Sequence, residues 1–313
     1  MKNLTLEGQR ELCYTISALN KPKLFIDPGE TVNIETEDAF SGQVRKESDR
    51  RDVTKIPYPN PQSGPIFVNG AEKGDTLAVK IENIRPLIDQ GATRIVSFWY
   101  NQRDDTELLL KFLKTENVPH GIRICKIREE KVFFDKFTIP YQPMIGTIAT
   151  APPTETLLTL YPGPHGGNMD IKEITTGSTL FLPVWVPGAL LHLGDAHATQ
   201  GEGELSGAAV EMPSKTTLKI DLIKGRSTQW PRIDCSDTLY SVATTETGRS
   251  LVEALRLGFT TLALWLEAEY GLNRWDAFEL LTFVSKVSLG NLWTVAVGIP
   301  KQFLPNRKTI SGS

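Results

Sequence analysis

Polar and apolar residues alternate over short stretches for most of the chain, and the period changes near its end. Thr31-Val32-Asn33-Ile34-Glu35-Thr36 alternates with period two and follows the turn signal Asp27-Pro28-Gly29-Glu30. Pro65-Ile66-Phe67-Val68 is a short apolar run that leads to the turn Lys73-Gly74-Asp75, after which residues 76–84 alternate again. Residues 132–139 and 216–223 predict two further strands. Residues 108–113 fit a short helix or a strand. Between 247 and 270 the period becomes helical, with Leu251, Leu255, Phe259, Leu262 and Leu266 on one stripe and Gly271 as the stop. Asn273, three residues before Asp276, starts a second predicted helix that runs from 274 to about 287. Together these elements predict an α+β fold. Residues 1–240 form a β-rich, sandwich- or barrel-like region, and 241–313 form a helical C-terminal region packed on it as one compact unit. Phe259, Trp265, Trp275 and Phe278 in the helical hairpin are expected in the core.

Composition narrows the partners. The formal net charge is −3, too small and of the wrong sign for non-specific nucleic-acid binding. The basic clusters Arg45-Lys46, Asp49-Arg50-Arg51 and Lys126-Ile127-Arg128 are interrupted by acids and read as solvated surface. Cys13, Cys125 and Cys235 are odd in number and far apart, which fits reduced, packed thiols rather than a disulfide framework. The polar N-terminus lacks an apolar leader core, and the most apolar run, 179–193, is broken by Pro183, Pro187 and Gly188. The expectation is a soluble cytoplasmic protein without membrane contact. The amphipathic hairpin and the commonness of two-fold assemblies favour a homodimer.

The chemistry concentrates between His192 and Glu211. This segment holds His192, Asp195, His197, Glu202, Glu204 and Glu211, separated mostly by small residues. The wider window 173–214 contains five carboxylates, two histidines and neither lysine nor arginine. Such carboxylates repel one another unless they are solvated or share a cation, and a divalent metal suits them. Asp195-x-His197 puts both side chains on one face of a strand, as two ligands of one ion require. The competing reading is a set of solvated turns with a hydrogen-bonded structural histidine, and no HExxH or paired CxxC motif decides against it. Two more segments invite attention: Thr36-Glu37-Asp38-Ala39-Phe40-Ser41-Gly42-Gln43 and Pro162-Gly163-Pro164-His165-Gly166-Gly167-Asn168-Met169-Asp170. Paired glycines let backbone approach a ligand, with Asn168 and Asp170 offering oxygens, although a plain tight turn explains either segment alone. The chain has no GxxxxGK[ST] loop, no GxGxxG after a strand and no GxSxG elbow.

The order of these segments resembles that of the acetamidase/formamidase family. The resemblance runs through Glu35-Thr36-Glu37-Asp38-Ala39-Phe40-Ser41-Gly42-Gln43, Gly64-Pro65-Ile66-Phe67-Val68-Asn69-Gly70-Ala71, Gly74-Asp75-Thr76-Leu77 and Met144-Ile145-Gly146-Thr147-Ile148. It continues through Gly166-Gly167-Asn168-Met169-Asp170 and is strongest from Gly194-Asp195-Ala196-His197-Ala198 to Glu211. It implies metal-dependent hydrolysis of small aliphatic amides to a carboxylate and ammonia, on a β-rich fold with a helical C-terminal part. It further implies Asp38, Asp170, Asp195 and His197 at the metal, and Asn168 with Gly167 at the substrate. Two positions depart from the family pattern. Glu202 stands where aspartate is usual, which moves a carboxylate by about 1.5 Å, and Ala149 stands where glycine is usual.

The chemistry this implies uses Zn²⁺, with Ca²⁺ as a second ion among the oxygen ligands. Glu155, in the loop Ala151-Pro152-Pro153-Thr154-Glu155, is the expected proton carrier beside Asp195 and His197, with Glu202 or Glu204 as the alternative. Two other classes compete: a small-molecule-binding β module with a structural metal, and a metal-dependent lyase. Ammonia release from formamide or acetamide separates the amidase from both.

Overall fold

In a computed structural model of the chain, residues 1–9, 11–96, 111, 113–115, 121–245 and 250–306 are described. Two large sheets dominate. Among the described residues one has nine strands and the other ten, and a two-stranded sheet joins Thr15–Ser17 to Thr156–Leu158. The predicted alternation sets the first large sheet. Val32 and Ile34 of Thr31–Thr36 are buried, as are Leu77, Val79 and Ile81 of Thr76–Pro86. Ser214–Ile223 lies between these two strands, antiparallel to both. Their apolar faces meet residues of the ten-stranded sheet, including Ile66, Ile145, Leu191 and Leu193, in one continuous core. The sheets therefore pack face to face.

The far end of the nine-stranded sheet is covered on its other face as well. In Thr238–Thr244, Tyr240 and Val242 belong to the inter-sheet core, whereas Leu239 and Ala243 join a second core under the helices. A strand buried on both faces reads as a continuous apolar run. The helix Leu251–Tyr270 lies on this end and buries Leu262, Trp265 and Leu266. Each fully buried leucine of that stripe contributes about 1.5–3 kcal/mol. Ser250 caps its start by accepting from the Val252 amide, and Gly271 ends it with φ +75°. Asn273 caps Arg274–Val284 in the same way. The chain then re-enters the nine-stranded sheet as Lys286–Leu289 and Thr294–Pro300.

Several expectations change. Residues 132–139 form not one strand but a hairpin, Lys131–Phe134 with Phe137–Pro140, because Asp135 adopts φ +52° and turns the chain. The second helix stops at Val284, three residues early. Trp275 is exposed rather than in the core and stacks obliquely on Phe278, which is half-buried. The 108–113 segment lies outside the described residues apart from Lys111 and Leu113. All three cysteines are free, with Cys125 buried. No helix among the described residues is long and apolar enough to cross a membrane.

Candidate metal centre and active site

The site forms where four strands of the ten-stranded sheet run together. Leu191–His197 is buried at all seven positions and carries Asp195 and His197. Its antiparallel register with Met144–Ala149 pairs Met144 with His197 and Thr147 with Gly194, which leaves Gly146 opposite Asp195. Gly166–Asn168 pairs with the other edge of Met144–Ala149 and delivers Asn168 and then Asp170. The short strand Glu211–Met212 sets Glu211 directly across from His197. Glu204 arrives from the 3₁₀ turn Glu202–Glu204.

Ligand atoms of Asp170, Asp195 and His197 lie within 4.8 Å of one another, as do those of His197, Glu204 and Glu211. His197 Nε2 stands 3.1 Å from Glu211 Oε2 and 3.5 Å from Asp195 Oδ1. On the other side of the ring, Nδ1 is 2.8 Å from Gln200 Oε1, and Gln200 Nε2 donates to the Asp170 carbonyl at 2.6 Å. That carbonyl only accepts, so the glutamine amide is oriented and Nδ1 donates to it. A neutral ring then carries its lone pair on Nε2, aimed at carboxylate oxygens. Lone pairs meeting in a buried site need a proton or a cation between them. Asp170 Oδ1, His197 Nε2 and Glu211 Oε2 are all buried without a hydrogen-bond partner among the described residues. An unsatisfied buried group costs about 1–3 kcal/mol, more when charged. Carboxylates plus one imidazole, itself held by a second hydrogen bond, are the donor set a divalent cation takes. The residues fit the group that the resemblance implies.

The electrostatics agree. Burial, reinforced by the neighbouring Asp195 charge, pushes Asp170 up to about 7. Burial pushes Glu211 up to about 8 against the opposing pull of His197. Glu204 is held well above the ordinary carboxylate range by burial and then by Asp170. Burial opposes charge on His197, yet Glu211 and Asp195 hold it well above its ordinary value. Burial likewise opposes charge on Asp195, but His197 keeps that carboxyl low. The cluster is short of positive charge, and a cation would displace the protons that it otherwise retains.

A polar frame fixes these acids. Asn60 Nδ2 lies 3.1 Å from both Asp195 Oδ2 and Asn168 Oδ1. Thr147 Oγ1 is 2.5 Å from Asn168 Oδ1 and 3.1 Å from Asp195 Oδ2. Asn291, from the loop after Lys286–Leu289, donates to the Asn168 carbonyl and to Asp170 Oδ2. A methyl group at Gly146 would sit 2.6 Å from Asp170 Oδ1 and 2.8 Å from Asp195 Oδ2. Asn60, Asp170, Asp195 and Glu204 all hold left-handed backbone, with φ of +61°, +52°, +59° and +45°. Side-chain-bearing residues rarely adopt it, and such strain gathers at functional sites. Above the cluster lies a cavity of about 430 Å³, lined by Asn168, Asp195, Glu204 and Glu211 on its polar part and by residues such as Phe40 and Trp293 elsewhere.

A sequence model of the acetamidase/formamidase family matches residues 21–159 and 147–247, a span that includes Asp170, Asp195, His197, Glu204 and Glu211. The chain belongs to the acetamidase/formamidase family. Its fold is similar to that of an acetamidase from Yersinia enterocolitica, with 39% identity, a TM-score of 0.88, and 96% of this chain and 92% of that one covered. An acetamidase from Bacillus halodurans is similar at 31% identity and a TM-score of 0.84, with 96% and 98% covered. An acetamidase from Mycolicibacterium smegmatis is 29% identical over 257 residues, which are 64% of this chain and 63% of that protein. The chain thus matches less than two thirds of the length of the curated family members it resembles.

Among the residues that the family resemblance implies, Asp170, Asp195 and His197 come together. Asn168 lines the cavity, whereas Gly167 is buried in the sheet opposite Ile148. Asp38 does not join the cluster. Its carboxylate is engaged by Arg45 at 2.5 Å, and burial with the adjacent Glu37 raises it to about 6. Arg45, read from the sequence as solvated surface, is the reason. Glu155 is exposed, accepts from the Thr154 amide and does not line the cavity. Glu202 points away, to Lys172 and to the Leu289 amide at 2.6 Å. His192 is the structural histidine, bonded to the Leu190 carbonyl and to Asn20, and burial lowers it to about 3. Both ligand groupings share His197, so no separate all-oxygen group of acids accompanies them among the described residues. Asn60, Thr147, Gln200 and Asn291 were not singled out in the sequence. Asn60 carried the one available signal, its place in Pro59-Asn60-Pro61.

Proposed function

We propose that this chain hydrolyses small linear amides to a carboxylate and ammonia at this cluster, with Asp170, Asp195, His197 and Glu211 holding a zinc ion. One observation carries the reading: the lone pair of His197 Nε2, fixed by Gln200, faces the oxygens of Glu211 and Asp195. A bound zinc ion supplies Lewis acidity and a water that is acidic near neutral pH. The protein's residues supply the rest. Glu204 is half-buried, lines the cavity and is held in place by the Ala209 amide at 3.0 Å. It takes the proton from the attacking water and passes it to the leaving nitrogen, the role the sequence suggested for Glu155. Asn168 accepts from Thr147 and Asn60 through Oδ1, which leaves Nδ2 to donate to the substrate oxygen. Apolar walls, among them Phe40 and Trp293, limit water around the amide.

Glu204→Gln and Glu155→Gln, compared by ammonia release from acetamide and formamide, test the assignment. Glu204→Gln should retain metal and lose roughly 10²- to 10⁴-fold in kcat, as removal of a general acid–base group does. Glu155→Gln should stay within about threefold of the parent, far below that range. The reverse ranking would return the role to Glu155.

A further inference from the structure

The cavity over the cluster is lined by positive charge as well as by acids. Arg51 and Arg94 both line it, and the Nε of each is buried without a hydrogen-bond partner among the described residues. Arg51 donates through Nη2 to the carbonyls of Ile56 and Tyr58, both at 2.9 Å, which fixes its guanidinium. Arg94 is near enough for its charge to act against that of Arg51. Tyr14 and, more weakly, Asp38 attract Arg51, and Asp38 is already engaged by Arg45. Neither guanidinium has an ion-pair partner among the described residues; two such groups sharing one cavity are unfavourable, and their planar fork matches a carboxylate. The space also leaves room beyond the simplest amides. Acetamide takes the place of three or four waters, on the order of 100 Å³ at about 30 Å³ each, whereas the cavity measures about 430 Å³.

We propose that the preferred substrate is a linear primary amide whose far end carries a carboxylate, the half-amide of a short dicarboxylic acid. The proposal rests on the amidase reading of the same cavity and names its substrate class. The amide end lies at the acidic cluster. The carboxylate is turned away by Asp195, Glu204 and Glu211 and received by Arg51 and Arg94. Water adds to the amide carbon, the C–N bond breaks, ammonia leaves, and the product is a dicarboxylate.

Succinamate and its neutral isostere 4-oxopentanamide are the probes. In the parent protein kcat/KM for succinamate should exceed that for the isostere by about tenfold or more, as a charge-assisted pair of hydrogen bonds provides. Arg51→Gln and Arg94→Gln should each reduce that ratio about tenfold, mainly through KM, and Arg94→Lys should keep part of it because charge stays while the fork is lost. A parent ratio near one, or a ratio unchanged in both glutamine variants, overturns the proposal. Calorimetric binding of succinate gives a readout that needs no turnover. It should weaken about tenfold in Arg94→Gln, with folding checked by thermal melting. Equal succinate binding in parent and variant overturns the proposal. Arginine-dependent succinate binding with no hydrolysis of any amide would leave the carboxylate site standing and remove the amidase reading. Acetamide turnover with no preference for succinamate would remove the carboxylate site alone.

Discussion

At position 146 the absence of a side chain lets two carboxylates approach one another. Gly146 is opposite Asp195 and beside Asp170, and an added Cβ would stand under 3 Å from an oxygen of each. Gly146→Ala should therefore cost about 1–3 kcal/mol of stability through overpacking and roughly 10- to 100-fold in zinc affinity through displaced ligands. Titration with a competing chelator checks this, and unchanged affinity would contradict it. The raised carboxyls make a second prediction, with a definite sign. Without an ion, Asp170 keeps its proton up to about 7 and Glu211 up to about 8, against about 4 in an unfolded chain. The folded state then binds more protons across that window, so the metal-free protein loses stability as pH rises from about 5 to 8. Zinc needs those carboxylates ionised, so its stabilising effect grows over the same range. Melting temperatures with and without zinc should differ more at pH 8 than at pH 6, and a constant or shrinking gap would count against the ligand set. At this scale the sequence was legible where the clustered residues are neighbours. Asp195-x-His197 shows its shared face through strand periodicity alone. Asp170 and Asn168 were legible through the paired glycines beside them. The commitment of Asp38 to Arg45 and the orientation of Gln200 depend on side-chain directions that no spacing encodes.

The strands and helices were legible where one face is wet. Thr31–Thr36 alternates because its outward residues meet solvent or polar neighbours. Leu191–His197 is buried on both faces, so no alternation marks it, and only its chemistry drew notice. The hairpin within 131–140 was hidden because its turn rests on Asp135 in left-handed backbone rather than on a glycine or proline. The helix Leu251–Tyr270 was legible from its stripe and from Gly271 at its end, although Ser250 at its start was not. Its seat on the sheet was not, and Gly258 shows why. A Cβ there would come within 2.7 Å of Val297 Cγ2. Alanine is the better helix former by about 1 kcal/mol, but overpacking costs about 1–3 kcal/mol, so contact with the sheet outweighs propensity. Gly258→Ala should lower the melting temperature; a higher one would mean that the helix can shift away from Thr294–Pro300.

Across the whole molecule, the site is a product of sheet order. Residues from Asn60 to Asn291 meet because Leu191–His197 is flanked by strands drawn from distant parts of the chain, and because the loop before Thr294–Pro300 reaches across from the other sheet. The β-rich class and the helical hairpin followed from periodicity, but this convergence depends on pairings that local pattern does not specify. The central claim is that amide hydrolysis by this chain depends on a divalent cation held by that convergence. The direct measurement is metal content and ammonia release on one preparation, purified without added metal, then chelated, then reloaded with zinc. The account predicts near-stoichiometric zinc, loss of acetamide and formamide turnover on chelation, and its return on reloading, with Asp195→Asn and His197→Ala unable to recover it. Full turnover in the metal-free protein would contradict it.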